Sequence, residues 1–356
     1  MSFFTKTEEP FIIAGPCSAE THEQVFETAQ ALKTLSVKLF RAGVWKPRTK
    51  PGSFEGNGID ALEWLLDMRQ EFQLPFTVEV AEPKHVEAAL KYGVDVLWLG
   101  ARTTVNPFQV QQIADALKGS KVPVMVKNPV NPDVDLWEGA IERIERAGVG
   151  EVAAIHRGFS TYQTSSIYRN QPNWSIPIEL KRRRQDLFII CDPSHISGNR
   201  TLVKDIAQKA MALCFDGLMI ETHPQPEKAW TDAAQQITPQ TLKEILCELV
   251  IRKHVVENGI HGAQIENLRQ QMDSIDAEII YLLGRRMDFS DQMGLLKKEQ
   301  NMTVYSPERW REIVETRSEQ AMKQQLSPEF ILSLYEKIHH ESIQRQLKQL
   351  EQGEKN

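Results

Sequence analysis

Two rhythms of apolar and polar residues divide this chain. From Pro10 to about Val256, short apolar runs alternate with stretches whose apolar positions recur every three or four residues. The runs are Phe11–Ala14, Lys38–Arg41, Phe76–Val80, Val94–Leu99, Val122–Val126, Glu151–Ile155, Leu187–Cys191 and Gly217–Ile220. Runs of this length bounded by polar sequence predict buried strands, and the stretches between them predict helices, the last from Pro239 to about Val256. Eight such βα units in roughly 250 residues predict an α/β fold, a (β/α)8 barrel of the TIM type. A doubly wound open sheet is the alternative.

Beyond HVVENGIHGA (254–263), read as a linker for its two glycines, the strand pattern stops. Ile265, Leu268, Met272, Ile275, Ile279, Leu282, Phe289, Met293 and Leu296 follow an alternating three-four spacing, which predicts a helix over about 264–298 with a narrow apolar seam. Such a helix runs about 50 Å, too long for its own small domain to cover, so a second chain is expected against it and the protein is expected to be a homodimer. Arg286 alone interrupts the seam. Ser306-Pro307-Glu308 and Ser327-Pro328-Glu329 each supply a capping serine, a proline for the first helical position and an acid for the first turn, announcing two further helices. The expected organisation is a barrel over 1–253, a linker over 254–263 and an all-α three-helix domain over 264–356.

Composition narrows the function classes. A net charge of −6 argues against a general nucleic-acid or membrane-surface binder, and it makes any local gathering of cations informative. Cys17, Cys191, Cys214 and Cys247 show no CxxC spacing, the N-terminus lacks the pattern of a signal peptide, and no apolar run reaches the ~20 residues of a membrane span. A reduced, cytoplasmic location is expected. No substantial domain precedes the first strand, so any control of activity is expected from the C-terminal helices.

A parallel barrel carries its chemistry at the strand ends that lead into the following helices. Read there, the first strand is followed by Cys17, the second by Arg41, Lys46, Arg48 and Thr49, and the fourth by Arg102. The third contains Glu79, the fifth ends in Lys127, the sixth in His156-Arg157, and the last two lead to His195 and Glu221. Six cations (Arg41, Lys46, Arg48, Arg102, Lys127 and Arg157) converging on one mouth would repel one another unless anions occupied it. Guanidinium forks and lysine point charges suit a substrate set with two phosphates and a carboxylate. The GSFEGNG segment (52–58) opens from no strand and reads as a loop rather than a phosphate fingerprint. Separately, Cys17, His195, Glu221 and an acid from the following loop, Asp232 ahead of Glu227, form a mixed S, N, O, O set. That set suits a borderline divalent ion (Mn, Fe, Co or Zn) acting as a Lewis acid.

The residues GPCSAE (15–20), FRAGVWKPRTKPGSFEGNG (40–58), GAR (100–102), CDPSHISGNR (191–200) and IETHPQPEKAWTD (220–232) resemble 3-deoxy-D-arabino-heptulosonate 7-phosphate (DAHP) synthases, nearest to the short-barrel type Iβ branch. The resemblance implies condensation of phosphoenolpyruvate with erythrose 4-phosphate, the first step of the shikimate pathway. It implies metal ligands Cys17, His195, Glu221 and Asp232, with Mn2+ the first choice of ion over Fe2+, Co2+ and Zn2+. It assigns phosphoenolpyruvate to Arg41, Lys46, Arg102, Lys127 and Arg157, and erythrose 4-phosphate to Arg48 and Thr49. Lys46 is the expected proton donor and Glu79 the residue orienting water. Residues 262–350 resemble the all-helical chorismate mutases by joint spacing, which implies active-site roles for Arg269 (from a partner chain), Arg286, Lys297, Arg309, Ser342 and Gln346. Ser306 and Trp310 depart from that pattern, in which acids are usual. The expected function is therefore bifunctional: DAHP formation, and rearrangement of chorismate to prephenate, with feedback on the barrel by prephenate or chorismate. The alternatives are a barrel whose helices only bind ligand and dimerise, and a metal-dependent hydrolase or related sugar-phosphate aldolase.

Overall fold

The structure is a computed structural model describing residues 2–46, 52–160, 166–252 and 260–351. It divides into two compact units, Met1–His254 and Val255–Asn356. In the first, eight strands form a closed parallel barrel in sequence order: β1 (Phe11–Gly15), β2 (Val37–Arg41), β3 (Phe76–Val80), β4 (Val96–Leu99), β5 (Val124–Lys127), β6 (Val152–His156), β7 (Phe188–Cys191) and β8 (Gly217–Glu221). Its helices are α1 (His22–Leu32), α2 (Ile59–Phe72), α3 (Pro83–Lys91), α4 (Ala101–Thr104), α5 (Pro107–Leu117), α6 (Val134–Arg146), α7 (Ser175–Arg183), α8 (Pro193–Ser197), α9 (Val203–Ala212) and α10 (Pro239–Glu248). No open sheet forms. Between β7 and β8 the chain makes the short α8, a 3₁₀ turn at Arg200–Leu202 and then α9.

The strand boundaries differ from the apolar runs in one consistent way. β4 and β5 begin two residues late: the Val94 N–H donates to the Ala89 carbonyl of α3 (3.0 Å) rather than to a strand, and Pro123 has no N–H for a ladder. Several strands also run one residue further at their C-terminal ends, taking Lys127, His156 and Glu221 into the ladder. The functional end is therefore held by sheet hydrogen bonds rather than by loops.

Side chains alternate across each strand. One alternate set, including Ile13, Leu39, Trp98, Met125, Ile155, Ile190 and Met219, fills the barrel interior as its own fully buried cluster. The other set packs under the helices. Phe4, Phe11 and Phe188 stack on one another at 5.6 to 6.2 Å, and the N–H groups of Phe3 and Phe4 donate to Glu151. This aromatic plug closes the N-terminal end of the barrel.

The second unit contains α11 (Ile260–Glu299), α12 (Pro307–Lys323) and α13 (Pro328–Glu351). The order long, short, long is as the caps predict, and the Ser306 Oγ receives the Arg309 N–H. The linker reading needs correction at its end: residues 260–263 belong to α11, whose first turns continue the helical register upstream of Ile265. Residues 253–259 lie outside the described residues. α13 packs along α11, and Gly294 permits the approach. A Cβ there would stand 3.0 Å from the Gln346 Cα and 3.2 Å from the Gln349 side chain. The apolar seam of α11 is uncovered within one chain, with Leu268, Met272 and Ile275 at 59 %, 63 % and 56 % exposure. No helix among the described residues is long and apolar enough to cross a membrane.

Candidate active sites

In six of the strands an inward-facing residue is followed two positions later by a charged one at the C-terminal end: Leu39 by Arg41, Thr77 by Glu79, Met125 by Lys127, Ile155 by Arg157, Ile190 by Asp192 and Met219 by Glu221. The period of two thus carries six chemically active groups to one mouth. A cavity of about 360 Å³ opens there, lined among others by Lys46, Glu79, Arg102, Lys127, Arg157 and His195. Gly100 lets Glu79 occupy its place, since a Cβ at Gly100 would fall 2.2 Å from the Glu79 Oε1.

At the floor of this mouth lie Cys17, Glu221 and Asp232, whose ligand atoms all fall within 4.8 Å of one another. His195 lies beside this set rather than within it: its Nε2 is 3.7 Å from the Glu221 Oε1, while its Nδ1 faces the Asp192 Oδ2 at 2.8 Å. Burial first, then the Glu221 carboxylate, push the Cys17 thiol up to about 12. Burial opposes the charge of Glu221 and Asp232 as well, but His195 and Arg41 on Glu221, and Arg169 on Asp232, outweigh it and hold both carboxyls below their ordinary range. A thiol and two carboxylates packed this closely, with a buried Glu221 Oε1 that accepts no hydrogen bond, are the donor chemistry of a divalent cation.

The cations are spread through the depth of the site. Arg41 is buried, pairs with Glu221 at 3.1 Å and lies over the Trp98 ring at 5.1 Å. Lys127 pairs with Asp192 at 2.9 Å. The Lys46 Nζ is 2.9 Å from the Cys17 Sγ; burial works against its charge, but Cys17 and Glu221 raise it on balance. Arg157 donates to the Asn170 Oδ1 at 2.7 Å, and burial draws it down to about 10. Arg102 lines the cavity near the surface. Arg48 and Thr49 lie outside the described residues.

In the helical unit, Arg286 donates to the Ser342 hydroxyl and has no ion pair among the described residues. Burial first, then Arg317 and Arg309, depress it. Gln346 is buried with its Oε1 unpartnered. Lys297 donates to the Val304 carbonyl rather than to a side chain. Arg309 pairs with Glu312 at 2.6 Å, and exposed Arg269 lies 3.6 Å from Glu266, its one ion pair among the described residues.

Comparison with known proteins decides the family of the barrel. The model of the DAHP synthetase I family matches residues 4–258. The chain belongs to this family. Residues 268–347 match the chorismate mutase type II model, so a DAHP synthase barrel and a helical chorismate mutase are fused in one polypeptide. The phospho-2-dehydro-3-deoxyheptonate aldolase of Thermotoga maritima is 32 % identical over 238 residues, covering 67 % of this chain and 68 % of that protein. The 2-dehydro-3-deoxyphosphooctonate aldolase of Desulfotalea psychrophila is 27 % identical, covering 69 % of this chain and 90 % of its own. The crystal structure of the Thermotoga maritima DAHP synthase superposes with a TM-score of 0.62 at 31 % identity, covering 68 % of each chain.

Three residues of the candidate site were not singled out from sequence. Asp192 accepts from the His195 N–H and the Lys127 ammonium, so one buried carboxylate caps α8 and orients two functional groups. The Asp-Pro start of a helix at a strand end was its signal. Arg169 holds the Asp232 Oδ1 at 2.9 Å, and Asn170 bridges Arg157 to the His195 carbonyl. Both reside in the long segment after β6, where no periodicity marks them.

Proposed function

We propose that the barrel condenses phosphoenolpyruvate with erythrose 4-phosphate in a metal-dependent reaction, and that the helical unit both converts chorismate to prephenate and carries feedback inhibition of the barrel by prephenate or chorismate. The observation that carries the first half is the cationic cavity directly above the Cys17–Glu221–Asp232 cluster. Cys17, His195, Glu221 and Asp232 would hold a divalent ion, Mn2+ by first choice, which supplies Lewis acidity at the aldehyde oxygen of erythrose 4-phosphate.

The chain's own groups do the remainder. Lys127, Arg157, Arg102 and the deeper Arg41 bind the phosphate and carboxylate of phosphoenolpyruvate. Lys46, kept protonated beside the thiol, donates its proton to the oxygen that becomes a hydroxyl as the new carbon–carbon bond forms. Glu79, fixed by the Trp98 indole N–H at 2.9 Å, orients the water that adds to the former enol carbon before phosphate departs. Two polyanions meet here, so preorganised positive charge supplies most of the acceleration.

In the helical unit Arg286, Arg309 and Lys297 hold the two carboxylates of chorismate in a compact conformer, with Ser342 and Gln346 completing the polar contacts. Arg269 and the uncovered seam of α11 fit a second chain, giving a homodimer whose sites take residues from both copies. The direct test assays both reactions with and without a chelator. Loss of DAHP formation, its recovery with a divalent ion, and an unaffected conversion of chorismate are the expected results. Undiminished condensation after exhaustive chelation removes the metal. For feedback, Arg286→Ala in the full chain is expected to abolish inhibition by prephenate while leaving the uninhibited barrel rate in place.

A further inference from the structure

One titratable side chain of the helical unit is accounted for neither by the apolar seam nor by the caps. His339 lies on the face of α13 that carries Ser342 three residues on and Gln346 seven residues on. Its imidazole packs against Trp310 with ring centroids 4.4 Å apart, and Tyr305 meets it edge-on at 6.1 Å. Trp310 follows Arg309 in the first turn of α12, so the aromatic contact packs the imidazole of α13 against α12, near Arg286 and Lys297 of α11. The ring is partly exposed, which leaves it an open edge.

The charges that act on its titration share one sign. Burial first, then Arg286 and Lys297 from α11, lower the basicity of His339. On the α12 side stand Arg309, already paired with Glu312, and the uncharged Tyr305 and Trp310. On its own helix Ser342 and Gln346 are uncharged, Tyr335 lies a turn back, and the exposed Glu336 three residues before it makes no ion pair with it among the described residues. No carboxylate pairs with His339 among the described residues. The free protein therefore presents a neutral imidazole at neutral pH. A dianion seated on Arg286 and Lys297 cancels the two cations that suppress the proton and adds negative charge of its own.

We propose that His339 is a further ligand contact of the chorismate mutase site and takes up a proton when the dicarboxylate binds. The inference rests on the reading of this cluster as the mutase site. The sign follows from linkage: the ligand raises the proton affinity of His339, so affinity is greatest below the free-state pKa and falls as pH rises towards the bound-state value, by at most about tenfold per pH unit. Trp310 is a positioning residue in this scheme, holding the ring against the site.

The test is calorimetric titration of the full chain with prephenate between about pH 6 and 8, in two buffers of different protonation enthalpy. Proton uptake in the parent protein, lost in His339→Gln and His339→Asn while prephenate still binds, is the expected result. The helical signal in circular dichroism verifies that each variant is folded, and Trp310→Leu, which keeps the imidazole but removes the ring that positions it, should reduce the uptake without eliminating binding. Binding with no proton uptake, or uptake unchanged in both His339 variants, overturns the proposal and leaves the mutase reading standing. Absence of prephenate binding in the parent protein overturns both.

Discussion

The barrel and the helical unit treat charge and apolar surface in opposite ways. In the barrel the functional groups come with internal counter-charges: Arg41 with Glu221, Lys127 with Asp192, Arg169 with Asp232. Its apolar side chains are shared between two fully buried clusters. In the helical unit Arg286 has a serine hydroxyl and two neighbouring arginines, with no carboxylate among the described residues, and the seam of α11 faces outward. The barrel balances the deep part of its site within one chain. The helical unit leaves to its ligand, and on our reading to a second chain, what the barrel supplies for itself.

Substitutions can break or sharpen that contrast. The largest effect is expected from Asp192→Ala, which strands the buried Lys127 ammonium and frees His195. The barrel should lose about 3–5 kcal/mol in denaturant unfolding, and DAHP formation should fall about 10–100-fold. Chorismate conversion should stay within about twofold, since its site has its own supports. A parallel loss of both activities would contradict the separateness of the two charge systems. Next comes Arg286→Ala, for which steady-state kinetics should show a loss of about 3–4 kcal/mol in transition-state stabilisation for chorismate. Melting of the helices should not fall with it, because the removed cation has only other cations for charged neighbours.

Smaller effects should come from the seam and the helix contact. Ile275→Glu or Ile279→Glu removes about 1.5–3 kcal/mol of apolar burial per site if a second chain covers α11, and sedimentation should show dissociation. An unchanged sedimentation coefficient in the double variant would argue against the homodimer. Gly294→Ala wedges a methyl group against the Gln346 backbone and should cost about 1–3 kcal/mol in helical stability, read by thermal melting.

Much of this was legible because the strongest signals were periodic. Eight apolar runs predicted eight strands in order, and the Ser-Pro-Glu caps located α12 and α13 to the residue. The positions of Arg41, Lys127 and Glu221 followed from knowing which end of a parallel strand carries chemistry. Asp192 was passed over because a residue before proline and serine reads first as a cap. Only the folded barrel brings Lys127, sixty-five positions earlier, to its second oxygen. Arg169 and Asn170 were invisible for a related reason: they act across the sequence from an aperiodic segment, and their partners are set by closure of the barrel. The start of α11 was misplaced because glycines 259 and 262 suggested a break, whereas a long helix tolerates the loss of about 1 kcal/mol that an interior glycine entails.

The stacked phenylalanines beneath the barrel have a kinetic corollary. With its lumen filled and its lower end stoppered, the enzyme is a blind well, and both reactants must use the same doorway. On our reading of the site, the reactant held by Lys127 at the bottom enters first and leaves last. On that reading the order of addition follows from the stopper, at the opposite end of the barrel from the chemistry it governs.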